Sequence, residues 1–212
     1  MSAVAVIDYG MGNLRSVAKA IEHVAPERRV EITADPARVA AADRVVFPGQ
    51  GAMPDCMREL DLRGLRPAVL DAAASRPFLG ICIGLQMLFE RSDEGDVPGL
   101  GVFAGEVVRF RDEAMYAADG ARLKVPHMGW NEVWQRRPHP LWEGIPDGAR
   151  FYFVHSYHVR PADTGVIAAE TGHGVRFTSA VERANIFAVQ FHPEKSAQAG
   201  LRLLSNFMRW AP

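Results

Sequence analysis

Two short segments carry residues whose types and spacing can do covalent chemistry. In Gly80-Ile81-Cys82-Ile83-Gly84 a thiol sits between glycines two residues before and two after it, behind an apolar run and ahead of Leu85-Gln86-Met87-Leu88-Phe89 at helical spacing. This is the form of a nucleophile elbow with Cys in place of Ser. A sharp strand-to-helix turn needs small neighbours, because it brings backbone segments together and pushes the nucleophile outward. A helix N-terminus beneath the thiol favours thiolate, and the Ile83 N–H is one donor for an oxyanion. A free Cys in an apolar strand is also an ordinary core residue; the flanking glycines favour the nucleophile. The second segment is His192-Pro193-Glu194, directly after the strand-like Phe187 to Phe191. Pro stops a strand ladder and exposes the imidazole. In extended chain, residues i and i+2 face the same way, so Glu194 can hold the His192 ring. A lone His is more commonly a core or surface residue, and the position after a strand argues for function. Cys, His and Glu at two strand ends of one parallel sheet make a workable triad, since chemistry gathers beyond the carboxyl ends of strands.

These residues need a scaffold, and the hydrophobic patterning supplies one. Ala3 to Ile7 reads as a buried strand entering a glycine-rich turn, followed by helical spacing through Leu14, Val17, Ala18, Ile21 and Val24 up to Pro26. Val30 to Ile32 and Arg44 to Phe47 read as strands separated by a polar turn through Ala34-Asp35-Pro36. Helical spacing over Leu65 to Ala74 leads to the apolar strand Pro77 to Ile81, so the first part of the chain has the alternation of a parallel sheet with crossovers. From about Gly95 the texture turns to strands, among them Glu106 to Phe110, Arg150 to Val154 and Val166 to Ala169, with Thr171 to Gly174 as a hairpin turn signal. Ile186 to Phe191 is the last strong strand. Ser196 can cap a final helix in which Leu203, Phe207 and Trp210 share a face.

The chain has 212 residues, 48% hydrophobic and 23% charged, with 24 Lys plus Arg against 25 Asp plus Glu. Such a composition folds around one core and lacks the basic excess of a nucleic-acid binder. The most apolar stretch, Pro77 to Phe89, contains Gln86 and is well short of the ~20 residues needed to span a bilayer. Met1 to Ile7 lacks a basic n-region and is interrupted by Asp8. With no CxxC pairing of Cys56 and Cys82, a cytoplasmic protein with free thiols is expected. Cys56 has no elbow around it and reads as structural. His155 and His158, three apart in a strand, point to opposite faces and make a poor metal pair. Gly10-Met11-Gly12 lacks the third glycine of a dinucleotide fingerprint.

With the cysteine elbow followed by His-Pro-Glu, the chain resembles a class I, triad-type glutamine amidotransferase domain. Further motifs narrow the resemblance: Ile7 to Leu14, Pro48 to Met53, Pro126 to Asn131, Tyr152 to Tyr157 and Gln190 to Ser196. Together they are similar to the glutaminase subunits of imidazole glycerol phosphate synthases, over residues 3 to 210. The resemblance implies one amidotransferase domain over 1–212, an α/β fold whose mixed, mostly parallel central sheet is flanked by helices, with the nucleophile elbow at Cys82. It implies Cys82 as nucleophile, His192 as base and acid and Glu194 as its orienter. Gly49, Gly51, Gln86, Ser156 and Tyr157 would hold glutamine, and Gln50 with Ile83 would form the oxyanion hole. The two glycines around Gln50 make a peptide flip there sterically accessible. Asn13, Met128, Trp130, Tyr152 and Lys195 would face a (β/α)8 cyclase subunit in a heterodimer, although Trp130 and Tyr152 are also large enough to be core residues. The implied activity is glutamine hydrolysis without cofactor or metal, the ammonia passing to the cyclase for histidine biosynthesis. A stand-alone hydrolase of γ-glutamyl substrates could use the same triad. A non-catalytic subunit is the other alternative, and an intact Cys82, His192 and Glu194 argues against it.

Overall fold

The uninterrupted apolar runs become the parallel centre of a sheet, as expected of strands covered on both faces. The computed structural model describes residues 3–111, 115–117 and 120–212, so Met1 and Ser2 of the N-terminal stretch lie outside it. β1 (Ala3–Ile7) pairs with β2 (Arg29–Thr33) and β3 (Arg44–Gly49), β3 with β4 (Phe78–Cys82), and β4 with β13 (Ile186–Val189), all parallel. Alternate residues feed two cores: Val4 and Val6 pack towards α1 (Leu14–Val24) and α6 (Ala197–Arg209), while Ala5 and Ile7 face the opposite layer. That layer holds α2 (Pro36–Ala41), α3 (Met53–Leu62), α4 (Arg66–Ser75) and the single turn α5 (Ile83–Met87).

Several elements differ from the sequence reading for identifiable reasons. The polar turn at Ala34-Asp35-Pro36 starts α2, because the Asp35 carboxylate accepts the Ala37 N–H at 2.9 Å and Pro36 is preset for a first helical turn. The helix expected through Phe89 stops after one turn. Phe89 instead enters β5 (Phe89–Ser92), which pairs with β7 (Phe103–Arg109), and its ring stacks on Phe103 at 5.6 Å. Ser196 stands at the start of α6 without capping it; its hydroxyl donates to the His192 carbonyl at 2.6 Å and accepts the Tyr152 N–H at 2.9 Å.

The β-rich half is antiparallel around β12 (Val175–Arg183), which pairs with β13, with β10 (Tyr157–Pro161) and with β11 (Ile167–His173). The hairpin between β11 and β12 turns at Gly174, whose φ is +70°. β8 (His127–Gln135) joins β11 to β9 (Ala149–His155). The sheet is therefore mixed, with its parallel block on the side that carries the elbow. Strand β13 ends at Val189, two residues before the expected end, where the chain turns so that the His192 N–H reaches the Tyr152 carbonyl at 2.9 Å.

The elbow glycines are small for the expected reason, close backbone approach. A Cβ on Gly84 would lie 1.9 Å from the Phe47 carbonyl oxygen, and one on Gly80 would lie 2.9 Å from the Ala188 Cβ. Gly84→Ala should therefore lower the unfolding free energy by about 2 kcal/mol, a fall in Tm of about 4–8 °C. An unchanged melting curve would show that the elbow can open without cost.

Candidate active site

Register in the parallel block decides what surrounds the thiol. Gly49 pairs with Cys82 across β3 and β4, and Val189 pairs with Ile81 across β13 and β4, which leaves Gln190 beside Cys82 on the other side. Cys82 closes β4 with φ +57° and ψ −112°, a conformation that costs an L-residue of order 1–3 kcal/mol and persists only where the surroundings enforce it. Here the Gly84–Phe47 contact and the two flanking strands do so. The helix after it is one turn long, so its dipole is a minor influence on the sulfur.

His192 and Glu194 meet as expected but by a different route. Pro193 opens a 3-10 turn, Pro193–Lys195, rather than extended chain, and the turn brings the Glu194 carboxylate to 2.8 Å from His192 Nδ1. Both side chains are 98% shielded from solvent. Burial alone would lower the His192 pKa; interaction with Cys82 and then with Glu194 outweighs it and raises it to about 10. Nε2 is buried and makes no hydrogen bond of good geometry. It is thus free to take a partner from the cavity that His192 lines.

Cys82, Ile83 and His192 open on a cavity of about 470 Å³, also lined by Gln50, Gly51, Gln86, Ser156, Tyr157 and Lys195. Gly49, expected to hold substrate, is not among the lining residues: a Cβ there would strike the Tyr9 hydroxyl at 1.8 Å and Ile83 Cγ2 at 2.3 Å, so close packing rather than a flip explains this glycine. Gly51, with φ +110°, does use the left-handed region. The Gln50 carbonyl accepts a hydrogen bond from the Cys56 thiol at 3.5 Å. Cys56 is buried, and burial pushes its pKa up to about 12, the opposite of an activated nucleophile.

Sequence reasoning missed Gln190. Its Nε2 donates to Cys82 Sγ at 3.8 Å, and its Oε1 accepts from Gln86 Nε2 at 2.9 Å. The signal was present as the residue that follows β13 in register with the elbow, and it could be read only once β13 was known to lie beside β4. Gln86 also donates to the Tyr157 carbonyl at 3.0 Å, so both hydrogens of its nitrogen are committed and its Oε1 can only accept.

The residues expected at a partner surface divide differently. Met128 and Trp130 are 64% and 46% exposed, so Trp130 is no core residue. Tyr152 is half-buried, with its ring edge-on to Trp130 at 6.3 Å and the Lys195 ammonium 5.9 Å from its centroid. Asn13 caps α1 by accepting the Ser16 N–H at 3.4 Å and borders Gln50, His192 and Glu194.

The family model for glutamine amidotransferase class-I matches residues 5–210. The chain belongs to the class I glutamine amidotransferases. Similar proteins include imidazole glycerol phosphate synthase subunit HisH of Aromatoleum aromaticum, 77% identical over the full length of both chains, and that of Dechloromonas aromatica, 71% identical over 99% of this chain and 97% of the relative. Among solved structures, this amidotransferase shares its fold with PurLQS from Thermotoga maritima (TM-score 0.72, 15% identity, 98% of each chain). It shares it also with the glutaminase domain of Trypanosoma brucei CTPS with bound acivicin (TM-score 0.66, 17% identity, 100% of this chain and 96% of that one).

Glu194→Gln removes the carboxylate that holds the His192 tautomer and supports its charge, and should lower glutamine turnover about 10²- to 10⁴-fold. His192 binds its proton more tightly folded than unfolded. Its stabilising contribution is thus complete below the ordinary value of 6.5 and disappears as pH rises through about 10. The stability gap between wild type and Glu194→Gln, measured by denaturant titration, should narrow across that range. A gap that widened with pH would contradict a raised His192.

Proposed function

We propose that this chain hydrolyses glutamine to glutamate and ammonia through a Cys82 thioester, as the glutaminase subunit of an imidazole glycerol phosphate synthase. The observation that carries the reading is the buried His192–Glu194 pair, 2.8 Å apart, set against the strained Cys82 at one end of the cavity. The thiolate attacks the side-chain amide carbonyl. The His192 imidazolium gives its proton to the departing nitrogen, releasing ammonia and leaving a glutamyl thioester. Neutral His192 then takes a proton from water as it attacks the thioester, which frees glutamate and restores the ion pair. The Ile83 N–H and a donor from the Gln50 loop serve the oxyanion, while Gly51, Gln86, Ser156 and Tyr157 hold the substrate.

The 77% and 71% identical relatives are named as subunits of imidazole glycerol phosphate synthase, which supports a partner. In this reading the ammonia enters a (β/α)8 cyclase subunit and is used to make imidazole glycerol phosphate and aminoimidazole carboxamide ribotide in histidine biosynthesis. The patch of Met128, Trp130, Tyr152 and Lys195, with Asn13 nearby, docks that subunit; two exposed large side chains against an aromatic ring and a cation suit such a surface. Two free cysteines suit the cytoplasm, and among the described residues no helix is long and apolar enough to cross a membrane.

Cys82→Ser should abolish glutamine-dependent synthesis in the reconstituted complex while leaving synthesis from added ammonium salts within about twofold, because the thiol acts only before ammonia is free. A parallel fall in ammonia-dependent synthesis would overturn the division of labour.

A further inference from the structure

Four histidines outside the triad, His127, His155, His158 and His173, gather around Phe110 with ring centroids 4.7 to 6.5 Å from it. The hydrolysis described above uses none of them. Among the described residues no group of three or more His, Cys, Asp or Glu is placed to hold a metal ion. Burial, aided by His173, pushes His127 down to about 3, and burial first of all keeps His155 well below its ordinary value. Both rings are neutral, so each has one donor and one acceptor.

Their neighbours leave one assignment. His155 Nδ1 lies 2.7 Å from the Tyr157 carbonyl, which only accepts, so Nδ1 carries the proton and Nε2 is an acceptor. His127 Nδ1, 2.9 Å from that Nε2, must then be the donor, which makes His127 Nε2 an acceptor. Asn131 Nδ2 donates to it at 3.1 Å and sends its other hydrogen to the Gly172 carbonyl at 2.8 Å, while Asn131 Oδ1 accepts the Glu132 N–H. The same Tyr157 carbonyl receives Gln86, whose amide fixes Gln190, whose amide reaches Cys82 Sγ. Every link is directional, and His127, His155, Gln86 and Gln190 are all buried.

We propose that Asn131, His127 and His155 are positioning residues: a hydrogen-bond chain of fixed polarity from β8 to the Tyr157 carbonyl that, through Gln86, aims the Gln190 amide hydrogen at the Cys82 sulfur. Without the chain the Tyr157 carbonyl loses the His155 donor and can tilt away from Gln86, and once Gln86 lets go the Gln190 amide can turn its oxygen towards Cys82. The inference rests on the reading of Cys82 as nucleophile and deepens it, since the strand that carries Met128 and Trp130 is thereby tied to the reacting atom.

The test compares His127→Leu with His127→Asn in the full chain. Both lose the ring stack, but Asn places an N–H where Nδ1 was. Two readouts are used: the rate of Cys82 alkylation by iodoacetamide near neutral pH, with the adduct located by mass spectrometry, and kcat and KM for glutamine in the presence of a cyclase subunit. His127→Leu should slow alkylation and lower kcat/KM about three- to tenfold, the value of one buried hydrogen bond, and His127→Asn should recover both to within about twofold. Equal losses in the two variants, or unchanged alkylation in folded His127→Leu, overturn the proposal. Should His127→Leu not fold, Asn131→Ala removes the outer donor from a half-exposed position; slower alkylation supports the chain and an unchanged rate overturns it. Alkylation needs no glutamine, so a wild-type chain that alkylates at Cys82 yet releases no ammonia fails the proposed function and leaves this test standing.

Discussion

The parallel pairing of β4 with β13 is the constraint on which the rest of the site depends. It brings the residue after Ile81 and the residues after Val189 to the same end of the sheet, although about 110 positions separate them in sequence. With that register, Cys82, Gln190 and His192 become neighbours without a long loop. A one-residue slip of β13 would turn its side chains to the opposite face and carry His192 away from Cys82. The glycines of the elbow and the close contact of Gly84 with Phe47 then hold the strained cysteine in place.

The antiparallel half does more than cover this block. Strand β9 grips the His192 turn twice through Tyr152: the His192 N–H donates to its carbonyl, and its own N–H donates to Ser196, whose hydroxyl returns to the His192 carbonyl. The Tyr152 ring meanwhile faces Trp130 and Lys195. A single residue therefore joins an exposed aromatic patch to the backbone that carries the His192 ring. The link between the patch and the His192 turn runs through the backbone, from the His192 N–H to the Tyr152 carbonyl at 2.9 Å and from the Tyr152 N–H to the Ser196 hydroxyl at 2.9 Å.

Much of this was legible in the sequence, because the elbow and the His-Pro-Glu turn are local and chemically specific. The glycines around Cys82, the uninterrupted strands β1, β3 and β4, and the hydrophobic stripes of α1 and α6 all follow from residue spacing. What was hidden depends on distant contacts. Gln190 looks like an ordinary strand residue until its neighbour is known, and Ser196 looks like a helix cap until Tyr152 and His192 compete for its hydroxyl. The Cys56 thiol on the Gln50 carbonyl and the neutral histidines behind Tyr157 are of the same kind. Each is set by tertiary pairing, which overrides local preference.

The chemistry proposed for the site needs a doubly protonated His192 ring next to Cys82, and that protonation can be observed directly. Nitrogen-15 NMR of histidine-labelled chain, with the His192 signals assigned by difference against Glu194→Gln, reports how many ring nitrogens are protonated. Near pH 8 the expected result is an imidazolium with protons on both nitrogens, losing one only towards pH 10, because Cys82 and Glu194 together outweigh the effect of burial. A neutral His192 near pH 8 would contradict the ion pair and, with it, the chemistry assigned to the cavity.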